Sequence, residues 1–296
     1  MTTPPPLSQA PAWPAPPDPP ELPDGATPAT GRPAWSPLSA ILAIVGGLAA
    51  AIAGGLVIAI IGVIFGADIA HPPPSIAIVS TVVQDLCFIG AVLLFARTRG
   101  PVSPWQLGLR GTRIRSAIGW TALAFVALIV FSVVWNAILG KQEAENLPES
   151  LGVDKSGWAL AATAVLVTVI APVAEELLFR GFVFPALRNW KGTVPAVVLT
   201  GLLFGLLHVM SSPLYALVPL ALFGALLCLV YLKTRSLYPC IVLHSINNAI
   251  AFGGAPEVGW DWQIALLAAG ALALIALGAY VLRRVYGPAP AGLSAV

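Results

Sequence analysis

The side chains in this sequence best suited to chemistry are a few polar residues in apolar surroundings. Glu175, Glu176 and Arg180 interrupt a hydrophobic run that extends over residues 158–187. An ionised side chain in a membrane-spanning helix costs about 2.5–3.5 kcal/mol on insertion scales, so it is kept mainly where it pairs or works. A carboxylate in a low-dielectric cavity is also a stronger base than one in water, which suits general-base catalysis.

The spacing separates the two glutamates into different roles. Glu176 and Arg180 are four residues apart with the acid on the N-terminal side, which is the favoured order for an ion pair on a helix. Glu175 points about 100° away from Glu176. It must therefore find its partner on another element or hold a water molecule.

Two of the three histidines, His208 and His244, lie in apolar segments, whereas His71 is a loop residue. A lone histidine in such a segment is more typical of hydrogen-bonded packing than of catalysis. However, in a helical hairpin that turns near Lys191, Glu175 precedes the turn by 16 residues and His208 follows it by 17. Both lie about 25 Å along their helices, so they are predicted to face each other.

The position of His244 predicts a different depth, because it lies only about 10 Å beyond the turn at residues 235–237. We favour an arrangement in which residues 182–193 project out of the membrane and bring Glu175 level with His244. The fifth span then ends within the membrane at residues 211–213. Asn248 follows His244 by one helical turn and can orient its imidazole or stabilise a developing negative charge. Phe204 precedes His208 by one turn and is predicted to form a wall of the cavity.

The composition defines the class of protein that must position these residues. Of 296 residues, 58% are hydrophobic and 9% are charged, and the mean hydropathy is +0.88. These values predict a polytopic membrane protein of the all-α class in contact with the lipid bilayer. A net charge of +2 provides no basic surface for nucleic acid. The three cysteines lie in apolar stretches and are interpreted as packed thiols.

Runs of about 20 apolar residues match the length that a helix needs to cross a bilayer, and the sequence contains about eight of them. They cover residues 38–66, 75–96, 116–139, 158–180, 195–210, 213–232, 238–253 and 262–282. Gly47, Ala51 and Gly55 form a small-residue stripe in the first span that predicts close helix packing. Asp85 is the only ionisable residue well inside the first three spans.

The chain divides into three parts. Residues 1–37 are rich in proline and predicted to be a disordered cytoplasmic tail. Residues 38–284 form the transmembrane helical domain, with a core of interest at 158–255, and residues 285–296 form a short cytoplasmic tail. Arginines and lysines cluster in alternate connections, which predicts a multi-pass protein of the cytoplasmic membrane with both termini inside.

Three motifs in these spans resemble those of a known family. They are EExxxR at Glu175, Glu176 and Arg180, FxxxH at Phe204 and His208, and HxxxN at His244 and Asn248. In this order they are similar to those of the CAAX protease and bacteriocin-processing family of intramembrane endopeptidases. The similarity covers about residues 158–255. It implies an eight-helix bundle whose motif residues line a membrane cavity and cleave a peptide bond of a membrane-associated protein or peptide.

The resemblance also implies a role for each residue. Glu175 activates a water that His208 helps to hold, and His244 and Asn248 stabilise the oxyanion. Glu176, Arg180 and Phe204 support the site, so Glu176 is expected to affect stability more than chemistry.

Two alternatives stay open at the level of the sequence. Glu175, His208 and His244 are a plausible zinc ligand set. We favour a metal-free mechanism without a cofactor, because no HExxH helix is present. Intramembrane glutamate, arginine and histidine also occur in transporters and polar scaffolds. The first four spans show no correspondence with the last four, which argues against transport.

Overall fold

A computed structural model of the protein describes residues 35–68, 71–140, 151–154, 156–255, 258 and 262–287. This part of the chain is helical and contains no strand, which confirms the predicted all-α class. Its eight main helices are α1 (Pro37–Ile64), α2 (Pro74–Ala96), α3 (Ile114–Leu139), α4 (Gly157–Lys191), α5 (Thr193–Leu207), α6 (Leu217–Thr234), α7 (Leu237–Gly254) and α8 (Trp262–Tyr286).

Six of these helices are long and apolar enough to cross a membrane, which makes the chain a multi-pass membrane protein. The two that fall short are α5 and α7. Helix α5 has 15 residues and spans about 22 Å, less than the roughly 30 Å of a hydrocarbon core. Helix α7 carries the polar run HSINN. Both helices carry motif residues. The two helices that lack the length or hydropathy of a membrane span are therefore among those that form the polar site.

Helix α4 is continuous but contains two wider π-helical stretches, Leu166–Ile170 and Leu177–Val183, on either side of the two glutamates. Each stretch ends just before a proline, Pro172 or Pro185. Proline has no backbone N–H, so it cannot continue the helical hydrogen-bond ladder. The prolines thus account for the local irregularity of α4, and such π-bulges often occur at functional sites.

The α4–α5 hairpin turns at Gly192, whose φ of 82° is readily adopted by glycine. Helix α7 begins beside Gly181, since a Cβ built on Gly181 would lie 3.5 Å from the Leu237 side chain. The hairpin therefore extends ten residues, about 15 Å, beyond the start of α7. This offset brings His244 level with Glu175 although the two residues lie at different distances from their turns.

Close contacts between α5 and α6 fix the other arm of the hairpin. A Cβ on Gly205 would lie 2.7 Å from the carbonyl oxygen of Leu217, and one on Gly201 would lie 2.6 Å from that of Ala221. Helix α1 approaches α2 in the same way at Gly47, close to Phe88. The predicted stripe in α1 is wrong at one position, because a Cβ on Gly55 would meet nothing within 4 Å.

The connection between α2 and α3 is joined to the turn between α6 and α7. The N–H of Leu237 donates to the carbonyl oxygen of Gly108 at 2.8 Å, and the hydroxyl of Ser236 donates to that of Arg110. Two of the basic connections therefore lie at the same end of the bundle. Residues 1–34 and 288–296, which include most of both predicted tails, and most of the acidic segment 141–155 lie outside the described residues. The three cysteines are free thiols.

Candidate active site

The ion pair that the spacing predicts is present and lies buried beneath the site. Arg180 Nη1 donates to Glu176 Oε1 at 2.8 Å, and both side chains are fully buried. Arg180 Nη2 donates to the carbonyl oxygen of Gly224 on α6 at 2.9 Å. The guanidinium also lies over the ring of Phe204, 4.7 Å from its centroid. Arg180 therefore links α4, α5 and α6 beneath the site.

Glu176 has a second partner that the sequence did not reveal. His244 Nδ1 lies 2.9 Å from Glu176 Oε1, the same oxygen that accepts from Arg180. The carboxylate can only accept from this ring nitrogen, so Nδ1 carries the hydrogen. The group bonded to the imidazole of His244 is therefore Glu176, whereas the sequence offered orientation of this ring as one of two roles for Asn248.

Glu175 faces both histidines. Its Oε2 atom lies 3.8 Å from His208 Nε2 and 3.9 Å from His244 Nε2. The side chains of Glu175 and His208 are 15% and 21% exposed, whereas that of His244 is 3% exposed. The structure thus brings Glu175, His208 and His244 together, with access from the side of Glu175 and His208.

Both histidines present a lone pair to Glu175 when they are neutral. His208 Nδ1 lies 2.8 Å from the carbonyl oxygen of Phe204, which can only accept, so Nδ1 is the protonated nitrogen. The bond of His244 to Glu176 has the same effect. In each neutral imidazole Nε2 is then an acceptor.

The centre of the site therefore consists of acceptors. Glu175 Oε2 is buried and has no hydrogen-bond partner within the described part of the chain. Two Nε2 lone pairs face it at distances too long for direct hydrogen bonds. A water molecule supplies two O–H donors and can bridge polar groups that lie too far apart for a direct hydrogen bond. The arrangement can bind a water and accept its proton.

Phe204 forms the wall predicted for it. Its ring is fully buried, and its centroid lies 4.9 Å from that of His208 and 5.7 Å from that of His244. Phe223 packs edge-on against His244 at 5.4 Å. Aromatic packing of this kind holds both imidazole rings in place.

Asn248 stabilises the helix that carries the glutamates. Its Nδ2 donates to the carbonyl oxygen of Val167 at 2.9 Å. In the π-helical register that carbonyl would receive the N–H of residue 172, which is proline and has none. One amide hydrogen of Asn248 thus replaces the bond that Pro172 cannot make. Asn247 contacts Asn248 at 3.4 Å.

The separations within the donor set are longer than those between the ligands of a bound zinc ion. Ligand atoms on tetrahedral zinc lie about 3.3 Å apart, given bonds of about 2.0–2.1 Å. The distances from Glu175 Oε2 to the two imidazole nitrogens are 3.8 and 3.9 Å. Within the described ranges no group of three histidine, cysteine or acidic side chains is arranged to hold a metal ion.

Asp85 on α2 is a further buried carboxyl near the site. Its side chain is 1% exposed, and its Oδ2 has no hydrogen-bond partner among the described residues. It interacts electrostatically with Glu175. The sequence marks Asp85 as ionisable but cannot place it, because α2 is far from α4 in the chain.

A comparison with models of known families matches residues 157–250, the segment that contains all seven motif residues. The matching model is that of the Rce1-like proteins, described as type II CAAX prenyl endopeptidase Rce1-like. Helices α1 to α3 lie outside the match. The matched segment coincides with the helices that build the site.

The chain is also similar to the UPF0177 protein YxdF of Lactococcus lactis subsp. lactis (strain IL1403). The two are 31% identical over 158 residues, which cover 51% of this chain and 85% of that protein. No solved structure matches the chain.

Proposed function

This chain belongs to the CAAX protease and bacteriocin-processing family, whose members are membrane peptidases, and we propose that Glu175 activates a water to hydrolyse a peptide bond. One observation carries the proposal: Oε2 of Glu175 faces the Nε2 atoms of His208 and His244 at 3.8 and 3.9 Å. Because these atoms are acceptors, they need a hydrogen-bond donor between them. We propose that this donor is a water and that this water is the nucleophile.

In the proposed reaction Glu175 Oε2 removes a proton from the water while the water oxygen attacks the carbonyl carbon of the substrate. His208 Nε2 accepts the second O–H of the water and holds it in place. As the C–N bond breaks, the proton on Glu175 passes to the leaving amine. Glu175 is thereby restored as a carboxylate.

His244 is proposed to serve the oxyanion later in the reaction. Its Nε2 first faces the water as an acceptor, so it donates to the oxyanion only after it has taken up a proton from solvent. The carboxylate of Glu176 accepts from Nδ1 and lies beside the resulting positive charge. Asn248 is proposed as the second donor through the amide hydrogen that Val167 leaves free.

The proposed substrate is a membrane-associated protein or peptide, processed at a CAAX-type terminus or as a bacteriocin-type peptide. We place the enzyme in the cytoplasmic membrane with both termini inside, on the strength of the basic connections. The side chains of Glu175 and His208 are 15% and 21% exposed, and we propose that substrate enters from their side.

The test compares the termini of membrane proteins in cells that express the natural protein or Glu175→Gln. We expect new termini only with the natural protein, while both forms accumulate to the same level. Glutamine keeps the volume of the side chain and removes its basicity. Identical sets of termini in the two strains would contradict the proposed proteolysis.

The role of metal is tested on the purified protein. We expect neither stoichiometric zinc nor loss of cleavage after chelation. Stoichiometric zinc whose removal abolishes cleavage would replace the metal-free mechanism by one in which Glu175, His208 and His244 are ligands.

A further inference from the structure

An apolar groove lies between α3 and α7, on the face of α7 that does not carry His244. Its volume is about 600 Å³. The residues that line it are Thr112, Ile114, Ala117, Ile118, Thr121, Ala122 and Phe125 on one side and Tyr238, Pro239, Val242, Leu243 and Ile246 on the other. Those on α3 recur at three- and four-residue intervals, so the groove runs along the helix axis.

The lining of the groove matches a hydrocarbon chain. From Ile114 to Phe125 the helix rises about 16 Å. Between these two residues the lining is apolar except for Thr121. The groove therefore offers an apolar surface of that length along the helix axis.

One end of the groove is polar and basic. Thr112 and Tyr238 line that end, where α3 and α7 both begin. Arginines 110, 113 and 235 lie in the adjoining connections and Arg115 lies in the first turn of α3, and residues 97–115 and 231–240 contain no acidic residue. Arg113, Arg115 and Arg235 are exposed and form no ion pair within the described ranges.

The side chain of Arg110 is held in place by two backbone carbonyl oxygens. Arg110 Nε donates to the carbonyl oxygen of Arg235, and its Nη1 donates to that of Trp105 at 3.3 Å. Burial lowers the pKa of Arg110, and the charge of Arg235 adds to the lowering against the opposite effect of Tyr231. An anion at this point would relieve the repulsion between the two guanidinium groups.

We propose that the groove binds one acyl chain of an anionic phospholipid of the bilayer, with its phosphate at Arg110, Arg113 and Arg235. The apolar part of the groove holds the acyl chain, and the arginines at its basic end bind the phosphate of the headgroup. Leu243, which lines the groove, precedes His244, so the lipid packs against the helix that carries an active-site imidazole. This site is independent of the proposed proteolysis and does not require it.

The experiment uses the full chain in vesicles of phosphatidylcholine with or without phosphatidylglycerol, followed by native mass spectrometry. We expect the natural protein to retain phosphatidylglycerol in preference to phosphatidylcholine. Ala122→Trp fills the groove and should reduce retention at least about tenfold, an effect of about 1.4 kcal/mol. Leu123→Trp is the matched control, since Leu123 is 59% exposed and does not line the groove.

A second pair of variants tests the headgroup without altering the groove. Arg113→Gln with Arg235→Gln should abolish the preference for phosphatidylglycerol, whereas Arg283→Gln with Arg284→Gln at the end of α8 should preserve it. Equal retention in Ala122→Trp and Leu123→Trp, or no preference in the natural protein, would overturn the proposal. Displacement of phosphatidylglycerol by a lipidated peptide would assign the groove to substrate instead.

Discussion

At the scale of single residues, the adjacent glutamates differ in what surrounds them. Glu176 is fully buried and accepts from Arg180 and His244 at the same oxygen. Glu175 is partly exposed and faces only acceptors. One carboxylate is therefore held by donors, and the other is available as a base.

Glu175→Gln is expected to fold normally and to lose at least about a hundredfold in cleavage, because only the general base is removed. Glu176→Gln should lose about 3–5 kcal/mol of stability, since it leaves Arg180 buried without its counter-ion. It should also lower activity in the folded fraction, because His244 loses the carboxylate that stabilises its charged form. Thermal unfolding and cleavage are measured on the same preparations. Full activity of folded Glu176→Gln would refute the role given to its contact with His244.

Asp85→Leu is expected to raise the stability of the protein by about 1–3 kcal/mol, because it removes a buried carboxyl oxygen without a hydrogen-bond partner. Thermal unfolding in one detergent compares it with Asp85→Asn, which keeps a polar group and should gain less. A lower unfolding temperature in Asp85→Leu would mean that the carboxyl has a partner, such as a water, that holds α2 against the site.

At the scale of elements, helix α4 lacks regular backbone hydrogen bonds on either side of its two glutamates. Pro172 removes the donor for the Val167 carbonyl, and Asn248 on α7 supplies another. The repair ties α4 to α7 at the level of the site. An irregular helix and a polar residue on its neighbour thus form one structural unit.

This unit is tested by a double-mutant cycle. Asn248→Ala should destabilise the natural protein by about 1 kcal/mol or more, because the Val167 carbonyl loses its partner. In a Pro172→Ala background the backbone N–H of residue 172 can take that carbonyl, so the same change should cost less. Unfolding free energies of the four proteins give the coupling. An equal cost in both backgrounds would separate Asn248 from the backbone of α4.

The α5–α6 contact is the second element that positions the site. Gly205→Ala should destabilise the protein by about 1–3 kcal/mol and reduce cleavage, because its Cβ would meet the backbone of Leu217 at 2.7 Å and displace the adjoining Phe204. Gly55→Ala is the control, since a Cβ there meets nothing and favours the helix. Similar unfolding temperatures for Gly205→Ala and Gly55→Ala would show that the contact is looser than described.

At the scale of the whole molecule, the basic connections gather at one end of the bundle. Leu237 and Ser236 bond to the connection that carries Arg110. At the same end, Trp35, next to the start of α1, donates its indole N–H to the carbonyl oxygen of Ala96 at 3.2 Å. The positive-inside rule predicts that this end faces the cytoplasm.

Cysteine labelling in sealed cells tests that orientation. A cysteine at Arg113 should be protected from an impermeant reagent until the membrane is opened, whereas one at His71, in the connection between α1 and α2, should react at once. The natural protein, in which Cys228 and Cys240 are buried and Cys87 is partly buried, gives the background labelling. Immediate reaction at Arg113 would reverse the predicted orientation.

The eight helices and their approximate limits follow from the sequence, because a helix that crosses a bilayer needs a long apolar run and isolated charges in it are unfavourable. The pairing of Glu176 with Arg180 also follows, since four residues on a helix place two side chains together. The opposition of Glu175 and His208 follows from counting along a hairpin. Each of these inferences depends on distances along one helix or one turn.

Only the tertiary structure decides the contacts between helices that are distant in the chain. The bond of His244 to Glu176, the bond of Asn248 to Val167 and the place of Asp85 each depend on how far one helix slides and rotates against another. Hydropathy does not encode that offset, because it is set by small contacts such as those at Gly205 and Gly181. The sequence therefore determined which segments are apolar enough to lie in the membrane, and the packing determined which nitrogen of each histidine faces the carboxylate of Glu175.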